Sequence, residues 1–126
     1  MQDPTNSDIL NLFKQWNDAL ATGNPKAVAA LYATDAILLP TLSNKVRHNH
    51  EEIADYFVNF LAKSPQGEIN EHNIRVHGEL AINSGVYTFT FGDGSSAKAR
   101  FTYVYRKEDD GWKIIEHHSS QMPEPA

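Results

Sequence analysis

The 126-residue chain contains no cysteine. That absence excludes a thiol nucleophile, a cysteine-based zinc site and a disulfide framework. At this length roughly two thirds of the unfolded surface can be buried, so packing alone suffices for one stable core. Basic residues are also scarce, 11 against 16 acidic ones for a net charge of −5, and they are dispersed. A nucleic-acid scaffold, which needs clustered Lys and Arg, is therefore not expected. The longest apolar run, Ala27 to Ala33, is far too short to span a bilayer. The start, Met1-Gln2-Asp3-Pro4, lacks the basic and then apolar pattern of a secretory signal. A cytoplasmic protein is the expectation, with a mature exported chain compatible with the same pattern. Linkers and internal repeats are missing, so residues 1–126 read as a single domain ending in a flexible tail, Gln121 to Ala126.

What is present begins with helical spacing. Ile9, Leu10, Leu12, Phe13, Trp16 and Leu20 form an amphipathic stripe after the capping candidates Asn6 and Ser7, and Gly23 ends it. Asn24-Pro25 then opens a short helix, Ala27 to Tyr32, with Val28 and Leu31 inward. Ala36 to Leu39 reads as a brief buried strand stopped by Pro40. Ile53, Tyr56, Phe57, Phe60 and Leu61 mark a third helix, with Glu51 and Glu52 in its first turn and Ser64-Pro65 as its stop. After Gln66 the apolar period changes from helical to alternating. Ile74–Ile82, Gly85–Phe91, Ala97–Lys107 and Trp112–Ser119 read as strands, separated where Gly92–Ser96 and Glu108–Gly111 supply turn residues. Helices followed by a strand meander define an α+β fold, three N-terminal helices on one face of a curved antiparallel sheet.

Alternation assigns faces. Tyr87, Phe89 and Phe91 share one side with Phe101, Tyr103 and Tyr105, and these aromatics should meet the helices. Pairing Lys107 with Trp112 adds Trp112, Ile114, Glu116 and His118 to that face, although a one-residue slip exchanges His118 for His117. The opposite face carries Val86, Thr88, Thr90, Thr102, Val104 and Ile115, a β-branched surface that a partner subunit would cover. Exposed threonines chosen for strand propensity would give the same pattern.

The aromatic face holds more polar tips than a plain core needs. Tyr87, Tyr103, Glu116 and His118 converge toward the open end of the expected cone, where a small-molecule pocket would form. Tyrosines there can donate to a carbonyl or enolate oxygen, and a carboxylate in an apolar pocket suits proton transfer. Alternatively, the tyrosines are packing residues whose hydroxyls bond one another or Glu116. Arg47, in the loop before the third helix, can hold an anionic ligand or simply pair with Glu51 or Glu52. No metal is expected: neighbouring strand residues point to opposite sides, so His117 and His118 cannot share an ion, and HExxH spacing is absent. A Gly-x-Ser-x-Gly elbow and a phosphate-cradling glycine loop are absent as well.

Several stretches resemble a known family. They are Asp35 to Pro40, the Val46-Arg47 loop, Ile53-x-x-Tyr56-Phe57, Arg100 to Lys107, Gly111 to Ile115, and His117-His118-Ser119-Ser120-x-Met122-Pro123. Together they are similar to bacterial proteins related to the association domain of calcium/calmodulin-dependent protein kinase II, within the nuclear transport factor 2-like or SnoaL-like superfamily. The resemblance spans about Ser7 to Pro123. It implies a cone-shaped, cystatin-like fold with a deep pocket and a sheet face used for homodimerisation. In the kinase the pocket holds arginines, and these fall on Tyr87 and Tyr103 here, which favours a neutral or aromatic ligand. No kinase activity is implied. The expected function is a homodimeric small-molecule-binding domain, or a cofactor-independent enzyme of the cyclase, isomerase or hydrolyase kind. Tyr103, Glu116 and His118 would then carry catalysis, and Tyr87, Tyr56, Arg47 and Arg100 ligand binding. A non-catalytic oligomerisation module is the alternative.

Overall fold

A computed structural model describes residues 6–41 and 43–124. The order of elements is α1 (Asn6–Ala21), α2 (Pro25–Ala29), β1 (Tyr32–Leu39), α3 (His50–Leu61), β2 (Gln66–His77), β3 (Leu80–Thr90), β4 (Ser96–Glu108) and β5 (Gly111–Gln121). Met1 to Pro4, Leu42 and the last two residues of the expected tail lie outside the described residues. Gln121, the first residue of that tail, instead closes β5.

The helix boundaries follow local chemistry. Asn24 caps α2 by accepting the Lys26 amide at 3.0 Å, and Asn49 caps α3 by accepting that of Glu52 at 2.9 Å. Gly23 turns the chain out of α1 at a φ of 71°. One expectation fails here: α2 ends at Ala29, and Tyr32 begins β1 instead of finishing a helix. Its Ile114 neighbour on β5 captures it for the sheet.

The five strands form one sheet in the order β1-β5-β4-β3-β2. The meander β2 to β5 is antiparallel, and β1 joins β5 in parallel. The stretch read as one strand from Ile74 to Ile82 is two, because Gly78 at a φ of 63° reverses the chain and sets His77 opposite Leu80. Gly85, read as the first residue of a strand, lies inside β3, where a Cβ would collide with the Glu71 carbonyl oxygen beside a bulge in β2.

The helices cover the concave side. Phe13 and Trp16 of α1 meet Tyr87, Phe89 and Tyr103, and Phe57 and Phe60 of α3 close the layer against Trp16 and Phe89. On the convex side Val86, Thr88, Thr102 and Val104 are half-buried by their own neighbours and covered by no described element.

Candidate functional site

The site is set by a bulge in β5. Close to the hairpin the expected register holds, with Lys107 opposite Trp112 and Tyr105 opposite Ile114. The pairing then slips by one, so that Val104 faces Glu116, Tyr103 faces His117 and Phe101 faces Ser119. An extra residue in one strand reverses every later side chain. His117 and Ser119 therefore turn inward and are buried, whereas Glu116 and His118 are exposed on the convex face. The expectation that Glu116 and His118 enter the pocket is corrected accordingly. Arg100, opposite Val86 and Ser120, is also exposed on that outer face.

Between the helices and the sheet lies a cavity of about 60 Å³, lined by Trp16, Tyr56, Phe57, Tyr87, His117 and Ser119 among others. That is room for roughly four to six water-sized atoms. Phe60, Phe91 and Pro40 extend the apolar wall, and Gln121 and Lys98 complete the lining. Two wider depressions, of about 640 Å³ and 710 Å³, lie elsewhere, but exposed Lys, Glu and Asp side chains edge them and they enclose little. Enclosure by apolar walls with a few aimed polar groups is what a ligand site needs.

Those polar groups form one chain. The Trp16 indole Nε1 donates to the Tyr32 hydroxyl at 3.1 Å, and that hydroxyl lies 2.8 Å from His117 Nδ1. His117 Nε2 is 3.2 Å from the Tyr87 hydroxyl, which donates to Ser119 Oγ at 2.5 Å. Ser119 in turn bonds Thr41. The Tyr103 ring stacks on His117 with centroids 4.1 Å apart. Burial, with a smaller contribution from the nearby charge of His118, lowers the His117 pKa from 6.5 to about 3. The imidazole is neutral at physiological pH. Burial likewise raises the pKa of Tyr32, Tyr87 and Tyr103, so all three remain protonated phenols.

Of the other expected site residues, Tyr56 is half-buried in the cavity wall, stacked on Phe60. Tyr103 is on the expected face but behind His117, and its hydroxyl is buried without a partner among the described residues. Arg47 lies outside the cavity. Its Nη1 donates to the Glu52 carbonyl at 3.0 Å and to Asp55 at 2.8 Å, its Nη2 donates to Ser43 at 3.3 Å, and its guanidinium packs 5.8 Å from the Tyr56 ring centroid. It pairs within the chain, as the alternative reading of this arginine expects, but through Asp55 rather than the carboxylates of Glu51 or Glu52. Sequence reasoning did not single out Ser119, Thr41, Tyr32 or Trp16 for the site. Trp16 carried only a core signal and Tyr32 a helical one.

A mixed five-stranded sheet wrapped around helices, with a cavity on the concave side, is the architecture of nuclear transport factor 2-like proteins with a cystatin-like fold. One such protein from Novosphingobium aromaticivorans superposes with a TM-score of 0.78 at 13% identity, over 95% of this chain and 83% of that one. A candidate ketosteroid isomerase from Parabacteroides distasonis gives 0.77 at 22% identity, over 96% and 90%. These two likenesses concern the fold. A candidate calcium/calmodulin dependent protein kinase II association domain from Xanthomonas campestris superposes at 0.93 with 50% identity, over 98% of this chain and 91% of that one. The family model for the calcium/calmodulin dependent protein kinase II association domain matches residues 5–123, and the chain belongs to that family. None of the curated proteins matches it.

Proposed function

We propose that this protein is a homodimeric small-molecule-binding domain whose ligand occupies the cavity beside His117. The observation that carries the reading is the cavity itself, a partly enclosed apolar space whose inward polar groups are joined in a single hydrogen-bonded chain. A chain of this kind holds its members in fixed orientations, which is the preorganisation that ligand binding rewards.

Binding fits the geometry better than isomerase-type chemistry. Proton abstraction needs a base with a pKa near the working pH. Among the described residues no Asp or Glu lines the cavity, and His117 is a weak base with both nitrogens engaged. The candidate ketosteroid isomerase shares the fold with this chain, and a shared fold does not carry a reaction with it. The association-domain family supports oligomerisation, and the uncovered convex face offers the surface for it.

A thermal-shift screen of small molecules tests the reading, with wild type compared with Ala99→Leu. Ala99 lines the cavity and is 4% exposed, so added methyl groups fill the space. A ligand that raises the wild-type melting temperature in proportion to the logarithm of its concentration, and leaves Ala99→Leu unchanged, is the expected result. A screen without hits, or hits that stabilise the filled variant equally, contradicts the proposal and favours an assembly module with an idle cavity. Circular dichroism confirms that the variant is folded.

A further inference from the structure

The directions of the hydrogen bonds in the buried chain can be assigned from donor and acceptor capacities. The Trp16 indole can only donate, so the Tyr32 hydroxyl accepts from it, and the Tyr32 proton must go elsewhere. His117 Nδ1 is its other partner, so Nδ1 is the accepting nitrogen. A neutral imidazole carries one proton, which therefore resides on Nε2 and is donated to Tyr87. The Tyr87 proton goes to Ser119. The opposite tautomer would strand the Tyr32 proton at a site 1% exposed, an expensive loss.

The remaining count concerns Ser119 and Thr41. They own two hydroxyl protons and share one hydrogen bond, in whichever direction it runs. One proton is left over at the cavity wall. An unfilled lone pair costs little, but a ligand that displaces water from this half-buried donor has to supply an acceptor in its place. No buried cation accompanies that donor: Lys98 is exposed, and Arg47 is spent on Asp55 outside the cavity.

The geometry points to a ligand class: small, mainly apolar molecules bearing one neutral hydrogen-bond acceptor, such as a ketone or aldehyde carbonyl, received by the Ser119–Thr41 hydroxyl pair. This specificity rests on the ligand-binding reading above and deepens it. Trp16 and Tyr32 are positioning residues in this scheme, since they act through His117 on a donor at the far end of the chain.

Three probes of similar size test it on the intact protein by NMR titration. Cyclopentanone presents the acceptor, methylenecyclopentane replaces the oxygen with carbon, and cyclopropanecarboxylate, also of six non-hydrogen atoms, adds a charge. Cyclopentanone should bind about threefold to tenfold more tightly than methylenecyclopentane, the effect of one net neutral hydrogen bond, and more tightly than the carboxylate. In the Ser119→Ala, Thr41→Val double variant the ketone preference should vanish while methylenecyclopentane still binds. Equal affinities in wild type, or a preference for the carboxylate, overturn the acceptor specificity and leave the cavity as a ligand site. Failure of all three to perturb the residues around the cavity overturns both.

Discussion

His117 owes its neutrality to the apolar walls around it, and this makes folding stability depend on pH in a defined direction. The folded state keeps the ring unprotonated down to about pH 3, whereas an unfolded histidine takes up a proton near pH 6.5. Below pH 6.5 the unfolded state therefore binds more protons, and stability falls as pH is lowered through that window. Between pH 6 and 5 the carboxylates whose pKa values are lowered, Asp35, Glu52 and Asp93, are mostly ionised in both states and add only a smaller slope of the same sign. The limiting slope is about 1.4 kcal/mol per pH unit. Urea denaturation at several pH values should show this slope in wild type and its loss in His117→Gln; an unchanged slope in the variant contradicts the assignment. Tyr103 gives a prediction of the opposite kind. Its buried hydroxyl has no partner among the described residues, so Tyr103→Phe should be neutral or stabilise the fold by about 1 kcal/mol, seen as an unchanged or higher melting temperature. A clear loss of stability would mean that the hydroxyl has a partner in solution.

At the scale of elements, bulges decide where side chains point. Gly85 sits against the one in β2, and Gly85→Ala would drive a methyl group into the Glu71 carbonyl. Because the obstacle is backbone, the expected cost is about 2 kcal/mol or more, read as a lower denaturation midpoint. A variant as stable as wild type would show that β2 yields there. The bulge in β5 explains how far the sequence could be read. Helical spacing placed α1 and α3, and alternation in β3 and β4 placed Tyr87, Phe89, Phe101 and Tyr103 on the inner face. Alternation also placed Ile114 correctly, counted outward from the Lys107–Trp112 pair. Beyond Ile114 the same count pointed Glu116 and His118 inward, because Lys113-Ile114-Ile115-Glu116 carries no glycine or other mark of an extra residue. Tyr32 was lost for a related reason: its helical neighbours Val28 and Leu31 outweighed a strand partner that lies 82 positions later, at Ile114.

For the whole molecule, the convex face is the feature that nothing among the described residues covers. Ile82 stands opposite Val104, and Val86 and Thr88 continue the surface across from Arg100 and Lys98. A β-branched sheet side bordered by charge suits an isologous interface, in which each residue meets its own patch on a second copy. Thr88→Lys combined with Val104→Lys puts four like charges into such a dimer. Sedimentation velocity should then give a dimer for wild type and a monomer for the double variant. A dimer that persists in the variant places the interface elsewhere, and a monomeric wild type removes the homodimer from the proposal.

Both the cavity and the hydrogen-bond chain depend on the register of β5, and the side-chain nitrogens of its two adjacent histidines report it directly. Long-range proton–nitrogen NMR spectra of both rings, followed from pH 7.5 to 4, should show His117 as a neutral ring with its proton on Nε2 throughout. His118 lies exposed on the convex face and gives the solvent-facing reference spectrum. A His117 ring that takes up a proton within that range would contradict the bulge, the inward histidine and the site built on it.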